Sequence, residues 1–397
     1  MMLWKLNEIQ KLSIMNFLLH LAFLSPVITF FFQQRGLDYF QILSLESILV
    51  LLIIIFELPT GIIADKLGRK KAIILGAIFL TSESVLFLIA NNYLIFALAS
   101  ALAGIGVSFL SGSVEAQIYD YLKERNKENQ MKKAMGAYGS AALMAMVISP
   151  SIGSIIARNL LPSQFKLLLF LSIATSILGI AVSLFIKEKK RTAVKKKNSF
   201  CIVKEGLDLI RRNGSFKRII LLSIFSSPFV FVLNYLYQPY FKISNVDVST
   251  YGVVFALAVL LSALLQKYAY LIELNLGMKR SIFIATFVPG ILYLIMAFVF
   301  NPIFAVILFI FQKGIIGLSD PLFSDYKNRH IPSKYRATIL SLISMFTSIY
   351  LLVMNLIIGK LTDINLKYSF VLMGGIVILA SVTLRIDTKH LSSKKMV

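Results

Sequence analysis

About twelve times along this 397-residue chain, an apolar run long enough to cross a bilayer gives way to a short polar loop. A helix needs about 20 such residues to span the hydrocarbon layer. The runs lie near 12–33, 39–64, 72–90, 93–116, 134–157, 166–186, 219–241, 250–272, 281–299, 302–324, 337–358 and 368–385. Composition agrees, with 57% hydrophobic and only 15% charged residues. A soluble chain of this length needs far more polar surface. The expected fold class is therefore an all-α membrane protein with twelve transmembrane helices. The first run is too long for a signal-peptide core and no small-residue cleavage pattern follows, so it is expected to be retained.

A net charge of +22 invites a nucleic-acid reading, but its distribution excludes one. With the N-terminus in the cytoplasm, only Arg35, Arg158, Lys166, Lys242, Lys360 and Lys367 of the 41 Lys and Arg fall in opposite loops, and Lys267 and Lys313 fall inside spans. That asymmetry predicts a multi-pass cell-membrane protein with both termini cytoplasmic. The single cysteine, Cys201, falls on the cytoplasmic side and precludes an intrachain disulfide.

A basic stretch separates six spans from six. The expected organisation is an N-terminal bundle over 1–186, a linker over 187–217 and a C-terminal bundle over 218–397. Phe200, Val203, Leu207 and Ile210 would share one face of a short amphipathic linker helix lying on anionic lipid; a plain tether is the alternative. The halves echo each other. "LGRKKAI" (67–73) and "LGMKRSI" (276–282) both join the second and third spans of their half, and "DYLK" (120–123) and "DYKN" (325–328) both follow the fourth. Matching topological positions imply an internal six-helix repeat.

The 61–71 stretch, with Gly61, Asp65, Lys66, Gly68, Arg69, Lys70 and Lys71, resembles the loop signature of the major facilitator superfamily. "SGSVEAQIYD" (111–120) and "NRHIPSKYRATILS" (328–341) are similar to segments of its bacterial drug-efflux-type members. The resemblance implies the major facilitator fold, two six-helix bundles related by pseudo-two-fold symmetry. It also implies a gating role for Gly61, Asp65, Gly68, Arg69, Lys70 and Lys71. Asp65 ends a helix, where the macrodipole disfavours an anion, so it needs a partner. Arg69 or Lys70 could serve; the resemblance implies the start of span 11 near Ala337 and Thr338, with Gly61 permitting close approach. A merely solvated loop is the alternative. In span 5, "SPSIGS" (149–154) keeps Pro150 and Gly153 of the antiporter motif but has serines for two glycines. The span 4 position at which many proton-coupled exporters carry an arginine is Ser100.

Polar side chains inside spans are costly and usually functional. Here they form stripes: Asn16 and His20 in span 1; Ser100, Ser108, Ser111 and Glu115 in span 4; Ser223, Ser227, Asn234 and Gln238 in span 7, beside Phe231, Tyr235 and Tyr237; Lys313, Gly317, Asp320 and Ser324 in span 10. The resemblance places those four spans around a central cavity. Candidate cavity residues are Asn16, His20, Ser100, Ser108, Phe231, Asn234, Tyr235, Gln238 and Lys313; helix packing through small residues is the competing reading for span 4. Glu46, Glu57, Glu115 and Asp320 are candidate proton carriers, because desolvation brings carboxylates toward neutrality. Glu83, in a span that the resemblance makes peripheral, has no account.

No HExxH, GxSG or zinc-ligand cluster appears, and three histidines are few for a metal site, so neither an enzyme nor a cofactor is expected. The expected function is a monomeric secondary transporter working by alternating access, a proton-coupled antiporter exporting small amphipathic compounds. The alternative is a proton-coupled uptake symporter for a sugar, peptide or organic anion.

Overall fold

In the computed structural model, residues 6–187, 214–331 and 336–385 are described, without the side chains of 215, 216, 329, 330 and 337. The linker helix expected around Phe200–Ile210, Cys201 and the Ala337 side chain lie outside them. The described chain is helical throughout, as lipid requires of a backbone that can find no water. The helices are α1 (Glu8–Leu19), α2 (Ile28–Gln34), α3 (Tyr39–Leu67), α4 (Arg69–Ile89), α5 (Tyr93–Lys123), α6 (Met131–Ile156), α7 (Pro162–Leu184), α8 (Gly214–Ser226), α9 (Phe229–Ile243), α10 (Tyr251–Met296), α11 (Pro302–His330), α12 (Arg336–Ile364) and α13 (Leu366–Thr383).

The first span of each half, expected to be continuous, is broken. Between α1 and α2 the chain leaves the helix at His20 and re-enters through a 3-10 turn at Ser25–Val27. Pro26 has no N–H to give and favours a helix start. The free amide of Phe23 is taken by the Ser172 hydroxyl of α7, 3.2 Å away. Span 7 breaks in the same way at Ser227–Pro228, between α8 and α9. Spans 8 and 9 instead merge into the 46-residue α10, which turns at Gly277, φ +75°. Gly68, between α3 and α4, has φ +98°. Both positions are the glycines of the repeated "LG" loops, and only glycine adopts that backbone at little cost.

The repeat is also written in the caps. Asp38 caps α3 and Asp247 caps the turn before α10; Asn92 caps α5 and Asn301 caps α11. The Ser249 hydroxyl and then its amide hold the Asp247 carboxyl below the usual carboxylate range, so this cap weakens as pH falls below that range. Replacing Asn92 or Asn301 by alanine should cost about 1 kcal/mol each, read as matching drops in melting temperature of the detergent-solubilised protein. Unequal or absent shifts would refute the equivalence.

The chain forms two compact units, one of α1–α7 with Asp247–Ala256, the other of α8, α9 and the chain from Leu257 on. The first is centred on Leu12, Met15, Ile73, Leu110, Val114 and Ile118, the second on Leu222, Ala269, Ile282, Leu318, Leu322 and Tyr326. Glycines set the helix spacing. A Cβ at Gly104 would meet the Leu49 carbonyl at 2.5 Å, and one at Gly317 the Ser262 carbonyl at 2.3 Å, so α5 touches α3, and α11 touches α10, backbone to backbone.

Candidate functional site

Each unit holds a cavity at the break in its first span. In the N-terminal unit, about 320 Å³ is lined by Asn16, His20, Ser111, Glu115 and Tyr138, with Leu80, Val107 and Met135 among the apolar walls. The helix end at His20 turns the imidazole inward, its Nδ1 2.9 Å from the Asn16 carbonyl. The Asn16 amide donates to the Tyr138 carbonyl of α6 at 2.8 Å, which fixes α1 against α6. Glu115 enters from α5. Ser100 and Ser108, expected beside these, are buried between helices instead. The Ser108 hydroxyl lies 2.9 Å from the Gly104 carbonyl and 3.3 Å from that of Ile53 on α3. It ties two helices and is not among the residues that line this cavity.

In the C-terminal unit, about 380 Å³ is lined by Ser223 and Ser227 at the span 7 break, Asp320, Phe323, Ser324 and Lys327 of α11, and Ser344, Thr347 and Ser348 of α12. Asp320 precedes the Asp-Tyr pair of "DYKN" by five residues, just as Glu115 precedes that of "DYLK". Each cavity thus receives one carboxylate from the fourth span of its half. The wall from span 11 was missed by sequence reasoning. Ser344, Thr347 and Ser348 follow i, i+3, i+4 spacing, the stripe signal already used for span 4.

Lys313 lies apart from that cavity. Its ammonium donates to Asn234 Oδ1 of α9 at 2.6 Å, and the fully buried Gln238 donates to the Asn234 carbonyl at 3.3 Å. Tyr235 is half-buried and Phe231 exposed on the same helix. Gln312 and Asn355 were also missed. Both are fully buried; the Asn355 amide meets no hydrogen-bond partner among the described residues, and Gln312 lies beside the Tyr293 hydroxyl.

Around the 61–71 loop, Gly68 makes the turn and Arg69 reaches into the N-terminal unit, pairing with Asp120 of α5 at 2.5 Å and donating to the Ala116 carbonyl. Asp65 and Lys71 are exposed, Lys70 half-exposed. No atom lies within 4 Å of where a Cβ at Gly61 would sit. In the second half Met278 stands where Arg69 does and packs on the apolar cluster, so the charge pair belongs to one half alone. Glu57 is exposed on α3 and Glu46 half-buried. Glu46 is the electrostatic neighbour of Glu83 across the α3–α4 contact, which gives the otherwise unexplained Glu83 a partner. The two serines of "SPSIGS" are used: Ser154 donates to the Ser249 carbonyl at 2.9 Å and Ser151 to that of Gly252 at 3.4 Å.

A multi-pass bundle whose first spans are interrupted beside polar cavities is the arrangement of a carrier. Among curated proteins, the chain is 24% identical over 334 residues to the uncharacterized MFS-type transporter YxaM of Bacillus subtilis (strain 168), covering 82% of this chain and 81% of that one. It is 29% identical over 140 residues, 34% of each chain, to Multidrug resistance protein 2 of the same organism. Among solved structures, a mutant of the nucleoside transporter NupG superposes with a TM-score of 0.78 at 13% identity, over 95% of this chain and 99% of that one; at such identity the likeness shows the fold. Residues 12–353 match the family description Major Facilitator Superfamily, and the chain, a membrane transporter with the fold of that family, belongs to it.

Proposed function

We propose that this transporter exports small amphipathic compounds from the cell by alternating access in exchange for protons, as a monomer with both termini in the cytoplasm. The observation that carries the reading is the pair of cavities, each with one carboxylate, Glu115 or Asp320, on the fourth span of its half. Carboxylates inside spans are expensive, and a proton carrier is what repays them. Glu46 and Glu57 are the further candidates for the coupled proton. The partial likeness to a multidrug resistance protein supports export. Gly61, Asp65, Gly68, Arg69, Lys70 and Lys71 act as the cytoplasmic gate, Arg69 through its hold on Asp120. Asn16 and His20, then Asn234, Tyr235, Gln238, Phe231 and Lys313, contribute to substrate passage. Uptake symport of a sugar, peptide or organic anion is the second reading, favoured by the hydroxyl-rich wall of the second cavity.

The test is compound-dependent proton movement in proteoliposomes of known orientation, with a panel of amphipathic amines, sugars, peptides and organic acids. Antiport predicts that compound and protons move in opposite directions. Glu115→Gln is expected to lower proton-driven flux at least tenfold while compound binding persists, and Asp320→Asn to lower that flux at least tenfold. Parallel movement would establish symport instead. Wild-type flux in both variants would remove these two carboxylates and leave Glu46 and Glu57.

A further inference from the structure

The cavity of the C-terminal unit carries a charge arrangement that proton coupling does not explain. Asp320 and Lys327 both line it. They are seven residues apart on α11, about 10 Å along the axis. Each feels the other's charge, yet no ion pair closes between them; the ion pairs of the described residues include Glu8–Lys11 and Arg69–Asp120, not this one. Phe323 explains the gap. The Lys327 ammonium lies 5.6 Å from the centre of that ring, one turn back toward Asp320, where the ring face attracts the cation and parks it. Asp320 is exposed to the cavity and accepts no hydrogen bond from a described residue.

Between and around the charges the wall is hydroxylic. Ser223 and Thr347 spend their protons on their own helices, donating to the carbonyls of Ile220 and Ile343 at 2.8 Å each. Their oxygens remain available as acceptors. The wall therefore offers an anion at one end, a cation at the other, an aromatic face between them and acceptors opposite. A ligand with a single charge would satisfy one end and leave the other uncompensated in a low-dielectric site. A volume of about 380 Å³ stands near the lower limit of ligand clefts, about 300 Å³, which suits a small metabolite.

We infer that this cavity binds a small zwitterion, its cationic group on Asp320, its anionic group on Lys327 and its uncharged middle over Phe323. The site deepens the transport reading by naming a substrate class, and that naming rests on the reading; the binding itself does not.

Binding to the purified full chain, followed by calorimetry, tests it with linear ω-amino acids from β-alanine to 8-aminooctanoate, each beside the alkylamine and the carboxylate of equal length. Zwitterions should bind at least tenfold tighter than either singly charged analogue. The optimum should fall at an intermediate length, because the charges to be bridged stand more than an ion-pair distance but less than about 10 Å apart. Asp320→Asn and Lys327→Met should each remove that advantage. The double exchange Asp320→Lys with Lys327→Asp should restore it, since a linear zwitterion can bind reversed. Equal affinity for amine and zwitterion, or no binding by any member of the series, overturns the proposal. So does a well-folded exchange variant that fails to bind. Zwitterion binding without proton movement in liposomes would instead overturn the antiport reading and leave the site standing.

Discussion

Gly153→Ala is expected to be among the most damaging single-methyl changes in the molecule. Gly153 sits in α6 against the break in the first span, and a Cβ there would lie 1.9 Å from the Phe23 carbonyl oxygen and 3.0 Å from its carbon. These are backbone atoms, held where they are because the Phe23 amide is bonded to Ser172, so no side-chain rotation relieves the overlap. Either α6 moves away or the break rearranges. Overpacking a tight interface costs about 1–3 kcal/mol and sometimes more, and a backbone conflict belongs at the upper end. Gly136→Ala on the same helix is the control. Nothing lies within 4 Å of its Cβ position, so it should be neutral or stabilising by up to about 1 kcal/mol. Melting of the two variants in detergent should separate by several degrees. Equal melting points would show that the break is plastic and that α6 does not brace it. Activity adds a second readout, since His20 lines the N-terminal cavity from the edge of that break.

The contrast between these glycines shows what can be read without coordinates. The spans themselves were legible, because each is a run of about 20 apolar residues and lipid leaves the backbone only one economical conformation. The repeat was legible at "LGRKKAI" and "LGMKRSI", and Gly68 and Gly277 share the left-handed backbone that the pattern needs. The breaks were not read, although Pro26 and Pro228 marked them, because a window averaged over 20 residues does not register the loss of one amide. Serines were the least legible. Ser108 and Ser344 look alike in sequence; one binds a neighbouring helix and the other lines a cavity, and only the helix neighbours decide. Glu83 had no reading for the same reason, since its neighbour Glu46 is 37 positions away and on another span.

Lys313→Met should leave a protein that inserts and folds but transports at least tenfold more slowly. Lys313 lies eleven residues into α11, about 16 Å along the axis and so near the middle of the hydrocarbon layer, where a cation costs several kcal/mol. Its ammonium donates to the Asn234 amide oxygen at 2.6 Å. That contact orients the charge, and it joins α11 to α9, the second segment of the broken span 7. An ion-dipole contact of this kind can be exchanged for a stronger one when a substrate anion arrives or when a nearby carboxylate loses its proton. Methionine keeps the length and apolar stem while removing the charge, so packing survives and the exchange is lost. Asn234→Asp asks the converse question. It turns the dipole into a carboxylate at 2.6 Å, which should pin the lysine, raise the melting temperature and lower flux. Reduced affinity confined to compounds bearing a carboxylate or phosphate would assign Lys313 to the substrate; unchanged affinity with lost flux would assign it to coupling. Two results oppose both roles: wild-type flux in Lys313→Met, or a variant that accumulates in the membrane only after a second substitution neutralises an acid. The second of these would make the lysine a structural counter-ion, held in the bilayer by a carboxylate.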